Sequence, residues 1–236
     1  TTGNLRSLRL LALGGEEIKL KDVEKLHAVG RQVRGMNHYG PTEVTIGCIA
    51  RFIDPRELDT YKIRPTIGKP IFNTQVYILD RYLKVLPVGI QGELCLGGAG
   101  VGKGYFKRDA LTSEKFILFQ PAGDAPPVRI YRTGDLARWL HDGNIEFLGR
   151  IDHQVKIRGF RVELGEIESR LLNHDTVKEA IVTAGEEENK DKYLCAYIVP
   201  ERELSVMELR RYLAEYLPYY MIPAYFVILE KIPLTP

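Results

Sequence analysis

The chain is poor in cysteine: 236 residues contain Cys48, Cys95 and Cys195, far apart and with no C-x-x-C spacing. That pattern argues against a zinc site or a disulfide framework and fits a reducing, cytoplasmic setting. No apolar run approaches the roughly 18 residues of a membrane-spanning helix, and no signal-peptide pattern occurs, so neither spanning nor export is expected. An excess of one charge is missing too, since 33 basic and 31 acidic residues leave a net charge of +2. No molecule-wide field then recruits nucleic acid or a membrane surface, and any anion site must be local.

What is present is apolar content of 44 %, enough for a sizeable core in one large domain or two smaller ones. The first residue is Thr1 and a strand pattern begins within a few positions, as expected of a piece of a longer chain. "LRLLALGG" is a short apolar run closed by two glycines, the pattern of a doubly buried strand. In "KLKDVEKLHAVG" the residues Leu20, Val23, Leu26 and Val29 recur every third position and Gly30 follows as a C-cap, which predicts a helix. Together they suggest the edge of an α/β layer.

From about residue 65 to 150 short strand patterns alternate with turns: "QVYILD", "GELCLGG", "RIYRTGDLARWL" and "NIEFLGR", with Asp142-Gly143 as a hairpin signal. An antiparallel sheet or barrel is expected there. Beyond it come "ELGEIESRLL", with Leu164, Ile167 and Leu171 on one face, then strand patterns "EAIVTA" and "YLCAYIV" around a solvated "GEEENKDK" loop. "SVMELRRYLAEYL" carries a helical stripe of Leu209, Tyr212, Leu213, Tyr216 and Leu217, a Ser205/Glu208 capping box and a stop at Pro218. This end reads as a small α+β domain.

Between these regions, "GRIDHQVKIRGFRVELGEIESRL" at 149–171 packs Arg150, Lys156, Arg158, Arg161 and Arg170 among Asp152, Glu163, Glu166 and Glu168. The simplest reading is a solvated, salt-bridged lead into a helix.

Three segments invite chemistry. In "GGAGVGKGYF", Gly97, Gly102 and Lys103 match a phosphate loop, but Gly104 replaces the hydroxyl that would hold magnesium, so a structural glycine turn is the better reading. "NHYGPTE" is either an ordinary turn capped by Thr42 or a site in which Tyr39 stacks a base, Thr42 touches a phosphate and Glu43 holds a hard cation. In "YRTGDL", Asp135 is a turn aspartate or the acceptor for a vicinal diol, and Arg150, returning after the hairpin, would supply a cation beside it.

Taken in order, "NHYGPTE", "GELCLGGAGVGKGYF", "YRTGDLARWL", "GRIDHQVKIRGFRVELGEIE" and "IPLTP" resemble the adenylate-forming enzyme superfamily, most closely amino-acid adenylation domains of nonribosomal peptide synthetases. The resemblance implies that residues 1–151 are the C-terminal part of a large core (1–60 an α/β layer, 61–151 an antiparallel, barrel-like β region) and 152–236 a small mobile α+β domain. Asp152 would be the hinge. Tyr39 would stack on adenine, with Asn37 and the Gly14-Gly15-Glu16 turn near the base. Thr42 would contact the α-phosphate and Glu43 would help bind Mg²⁺. Asp135 and Arg150 would meet the ribose of ATP. Leu11, Leu13, His38, Ile46 and Gly47 would line the acid pocket, although His38 also suits a pocket rim. Lys156 and Gly159 would serve a second step, transfer to the phosphopantetheine thiol of a carrier domain. A hinge suits a stretch whose charges exchange partners at low cost.

The resemblance further implies an upstream pyrophosphate-binding loop, an upstream Asp for the substrate amino group and a downstream Asn-Gly-Lys; without them the 236 residues alone are expected to be inactive. Neighbouring synthetase domains, the rest of the core and an antibiotic or other secondary-metabolite product are implied as well. Alternatives are an acyl- or aryl-CoA ligase of the same superfamily, a keto- or hydroxy-acid substrate, or a non-catalytic carrier-docking remnant. Nucleic-acid binding is disfavoured because the carboxylates of 149–171 cancel most of its charge.

Overall fold

The structure is a computed structural model that describes residues 8–16, 18, 33–53, 66–121, 123, 125–152, 154–157, 159–187 and 192–233. It divides into two compact units, Thr1–Asp152 and His153–Pro236. The helix expected over 19–30 and the division expected at 60/61 lie outside the described residues.

The first unit is built on β1 (Leu10–Gly14), β2 (Arg34–Tyr39), β3 (Ile49–Ile53), β4 (Thr66–Pro70), β5 (Thr74–Leu79), β6 (Gly92–Gly98), β7 (Phe116–Phe119), β8 (Val128–Trp139) and β9 (Ile145–Arg150), with a short helix α1 (Asp109–Lys115). These strands form one nine-stranded sheet in the order β1-β2-β3-β4-β9-β8-β6-β5, with β7 also on β8. β1 and β2 run parallel, and β3 continues antiparallel. The β3–β4 ladder, Ile49 opposite Pro70 and Ala50 opposite Lys69, joins the α/β edge to the antiparallel region, so the two form one mixed sheet. Among the described residues no ladder closes β5 back onto β4, and the sheet is open. Gly68 makes the join possible: at φ +103 its backbone lies so close to Ala50 that an added Cβ would sit 2.1 Å from the Ala50 carbonyl oxygen.

Successive residues of β6 and β8 feed opposite faces. Leu94, Leu96 and Tyr131 join Ile49 and Ile145 in one fully buried cluster, while Cys95 and Ile130 join Leu79 and Phe119 in another. A strand covered on both sides loses the apolar/polar alternation, which explains the unbroken "ELCLG".

The second unit contains β10 (Val155–Ile157), β11 (Phe160–Val162), α2 (Leu164–Leu172), β12 (Val177–Glu186), β13 (Lys192–Pro200), α3 (Val206–Tyr216) and β14 (Tyr225–Ile228). Its main sheet runs β12-β13-β14, with β14 parallel to β13. α2 buries Leu164, Ile167 and Leu171, and α3 buries Leu209 and Leu213. The Ser205 hydroxyl accepts from the Glu208 amide at 3.4 Å, as the capping box requires. Tyr216 is more exposed than the stripe predicts, and Arg170 covers its ring at 4.8 Å. Within "VKIRGF", Val155–Ile157 forms β10 and Phe160 opens β11, and in the small hairpin the two strands make Lys156 pairs with Arg161.

Candidate active site

A dense polar cluster of the first unit lies where β8 and β9 pair Asp135 with Arg150. Arg150 Nη1 donates to Asp135 Oδ1 at 2.8 Å. The same guanidinium grips Asp152 in a bidentate pair, Nε to Oδ1 and Nη2 to Oδ2, both 2.6 Å, and Nη2 reaches the Thr133 carbonyl at 3.2 Å. Tyr39, from the end of β2, donates its hydroxyl to Asp135 Oδ2. Thr133 finishes the frame: its hydroxyl donates to the Leu94 carbonyl at 2.7 Å and accepts from the Asp135 amide at 2.9 Å. Asp135 is therefore a buried carboxylate held on both oxygens by neighbours far apart in sequence. Burial, and then the Asp135 charge, push the Tyr39 phenol well above its usual range, so it remains a donor.

Gly134 is the reason the chain fits. It stands at φ +71, and an added Cβ would lie 2.8 Å from Asp152 Oδ2 and 2.9 Å from Arg150 Nη2.

Thr42 and Glu43 occupy a single 3-10 turn, Thr42–Val44, directly after the Gly40-Pro41 break. The loop closes on itself where the Cys48 amide donates to the Tyr39 carbonyl at 3.0 Å. Thr45 and Ile46 both adopt left-handed backbone, φ 58 and 66, a conformation costing about 1–3 kcal/mol each for such residues. Glu43 Oε1 accepts from the Tyr105 hydroxyl at 2.6 Å, and Tyr105 lies 3.3 Å from the hydroxyl of the buried Tyr131. Burial and then the Glu43 hydrogen bond hold the Tyr105 phenol far above its ordinary pKa.

Of the residues expected to line a pocket, Leu11 and Leu13 are half-buried on β1 and Ile46 is exposed. His38 packs its imidazole on Gly47 so closely that a Cβ there would fall 1.6 Å from Nε2. Gly14 pairs with His38 across the parallel β1–β2 ladder, which brings the Gly14-Gly15-Glu16 turn to the end of the sheet where Tyr39 stands. Asn37 donates its side-chain amide to the Thr66 carbonyl at 3.3 Å. Lys156 and Gly159 lie in the second unit, Lys156 on β10 and Gly159 in the following turn at φ +81.

Thr133, Tyr105 and Tyr131 escape a reading of the sequence. Tyr105 belongs to the glycine motif, and neither the structural-turn nor the phosphate-loop reading of that motif gives its phenol a role. The motif's carbonyls face Arg129, which donates to Gly102 and Lys103.

Among the described residues no group of three or more His, Cys, Asp or Glu could enclose a metal.

Residues 1–106 match the family described as AMP-binding enzyme, and residues 166–236 match the AMP-binding enzyme C-terminal domain. The chain belongs to this family of adenylate-forming ligases, whose chemistry uses ATP. It is 53% identical over 234 residues to bacitracin synthase 3 of Bacillus licheniformis, covering 99% of this chain and 4% of that protein. Against gramicidin S synthase 2 of Brevibacillus brevis it is 50% identical over 235 residues, covering 98% and 5%. A solved structure of PA1221, a nonribosomal peptide synthetase protein containing adenylation and PCP domains, superposes with a TM-score of 0.79 at 30% identity, covering 98% of this chain and 45% of that one. More particularly, then, the chain is adenylation-domain sequence of the nonribosomal peptide synthetase kind. It spans only a few per cent of the large synthetases it matches.

Proposed function

We propose that these residues serve an enzyme that joins an amino acid, or a related carboxylic acid, to AMP and then passes the acyl group to a carrier-bound thiol. The substrate carboxylate attacks the α-phosphorus of ATP, pyrophosphate leaves and an acyl adenylate forms. The phosphopantetheine thiol of a carrier domain then displaces AMP.

The observation that carries this reading is the Asp135 carboxylate, fixed by Arg150 and Tyr39 at the register where β8 meets β9. A carboxylate held in this way accepts hydrogen bonds from a ribose diol with little further loss of side-chain freedom. Thr42 donates its hydroxyl to the α-phosphate. Glu43 would hold Mg²⁺, which when bound would supply neutralisation of the phosphate charge. Tyr39 gives its ring face to adenine, with Asn37 and Gly14-Gly15-Glu16 bordering the base. Leu11, Leu13, His38, Ile46 and Gly47 shape the acid pocket.

Asp152 is the proposed hinge. It carries a guanidinium pair at the boundary of the first unit, Thr1–Asp152, and the next residue opens the second. Reorientation about it would bring Lys156 and Gly159 to the thiol in the second step. A cytoplasmic setting goes with this reading; among the described residues no helix is long and apolar enough to cross a membrane.

The test is acid-dependent ATP–pyrophosphate exchange by the full polypeptide that carries these residues, across amino, keto, hydroxy and aryl acids. Exchange with an amino acid upholds the proposal. Exchange only with a non-amino acid moves the substrate class, and thioester formation on free coenzyme A replaces the carrier step. Because the 236 residues span 45% of the solved PA1221 chain, they are expected to show no exchange alone.

A further inference from the structure

The glycine-rich segment 97–106 has no part in the Asp135 cluster, yet it clasps the turn bearing Glu43 at three points. The Gly102 amide donates to the Glu43 carbonyl at 2.8 Å. Thr45 Oγ1 donates to the Gly100 carbonyl at 2.8 Å. The Tyr105 hydroxyl donates to Glu43 Oε1 at 2.6 Å. Glycine suits the first two contacts, since a Cβ at Gly100 or Gly102 would stand a tight 3.1 Å from the carbonyl oxygens of Val44 or Glu43.

Tyr105 is itself fixed from several sides. Its ring meets Phe116 edge-on at 5.5 Å, its amide donates to Thr112 Oγ1 at 2.9 Å, and its hydroxyl lies 3.3 Å from that of the fully buried Tyr131. Arg129 lies over Phe116 at 4.9 Å while its guanidinium holds the Gly102 and Lys103 carbonyls. The clasp is thus anchored in the core of the sheet, and its Tyr105 side chain reaches the Glu43 carboxylate.

We propose that Tyr105 is a positioning residue for the metal-dependent step: it sets the orientation of the Glu43 carboxylate toward a divalent cation, and the glycine segment is the brace that delivers it. The inference rests on the reading of Glu43 as a cation ligand. A loose glutamate must surrender rotamer freedom when it captures a cation, whereas one already oriented by a phenol does not. Partners standing behind a metal ligand in this way typically contribute about 10–100-fold to metal affinity or activity. The same arrangement gives the motif a purpose other than phosphate binding, because the Gly102 amide is turned to Glu43.

The experiment measures Mn²⁺ binding by the full polypeptide in the presence of α,β-methylene-ATP, which permits no turnover, by the electron paramagnetic resonance signal of free Mn²⁺. The variants are E43Q and Y105F, the latter keeping the ring that packs on Phe116. We expect both to weaken Mn²⁺ binding, Y105F by about tenfold. We also expect Y105F to raise the Mg²⁺ concentration for half-maximal pyrophosphate exchange while the KM for the acid stays unchanged. If E43Q weakens Mn²⁺ binding and Y105F binds like the parent, the positioning role is overturned and the Glu43 reading stands. If E43Q binds like the parent, the cation reading fails and this inference falls with it. Should Y105F not fold, Y131F supplies the same test through the Tyr105 hydroxyl it faces: a smaller shift in the same direction supports the positioning role of Tyr105, and parent-like binding overturns it.

Discussion

Asp135 and Arg150 face each other across the β8–β9 ladder, with Oδ1 and Nη1 2.8 Å apart. The Arg150 guanidinium also holds Asp152 through two further bonds of 2.6 Å. One arginine therefore links the carboxylate assigned to the ribose with the carboxylate assigned to the hinge. The Arg150–Asp152 contact is charge-assisted and bidentate, a strong geometry for its class, and the side chains of Arg150 and Asp135 are largely shielded from water while Asp152 is exposed.

Replacing Asp135 with Asn preserves the size of the side chain and removes its charge. ATP binding by the full polypeptide should weaken about 10–100-fold, the loss expected when a hydrogen bond to a charged acceptor disappears. Equilibrium dialysis measures it directly, and parent-like affinity in D135N would remove Asp135 from the nucleotide site.

Gly134→Ala should destabilise more than Gly15→Ala. Both glycines have left-handed backbone, φ +71 and +91, so each substitution carries a cost of about 1 kcal/mol or more. Only at Gly134 does the new Cβ meet Asp152 and Arg150; at Gly15 nothing lies within 4 Å. Unfolding free energies from urea titration of the two variants should differ by about 1–2 kcal/mol in the stated order. Equal free energies would show that the Arg150–Asp152 pair yields without cost.

Gly47→Ala should alter acid selectivity while leaving the KM for ATP unchanged. The methyl group would occupy the space of the His38 imidazole, so the ring must rotate away. A pyrophosphate-exchange panel over acids of different size reads the outcome. An unchanged profile would place His38 outside the acid pocket.

Stability should fall on the alkaline side, and the sign follows from two groups. The Tyr39 phenol is raised well above 10.0 by burial and by Asp135, and burial pushes the Cys48 thiol from 9.0 up to about 12. In each case the folded chain holds a proton that the unfolded chain releases at lower pH. The contribution is complete below the unfolded pKa and is lost as pH rises through the folded one. The urea midpoint should decline from about pH 9 upward, and less steeply in Y39F and C48A than in the parent. In the native state at neutral pH the buried Cys48, Cys95 and Cys195 should resist alkylation, and all three should react in urea.

Much of the local structure was legible because its signals are local. "GELCLGG" coincides with β6, the Leu164, Ile167 and Leu171 stripe is the buried face of α2, and Asp142-Gly143 turns β8 into β9. The hairpin β10–β11 was not legible, because each strand is only three residues long and its charged side chains mask any alternation. β14 was missed for a related reason: it pairs in parallel with β13, from which it is separated by a whole helix, and no turn announces such a partner.

The 149–171 stretch shows where the two sources of information divide. Its charges do not form a single solvated band. Arg150 turns to Asp135 and Asp152, Arg170 covers Tyr216, and Glu168 Oε1 accepts from the Val182 amide at 2.8 Å. Each partner is chosen by strand register or helix packing.

By itself the sequence determined the periodicities, the turns, the buried stripes and the family, because residue type and spacing along the chain encode them. The tertiary structure alone decided that Tyr39 meets Asp135, that Tyr105 meets Glu43 and that His38 lies on Gly47. Those contacts depend on strand order and register, which are set by how whole faces of the sheet bury their apolar side chains and not by any short segment.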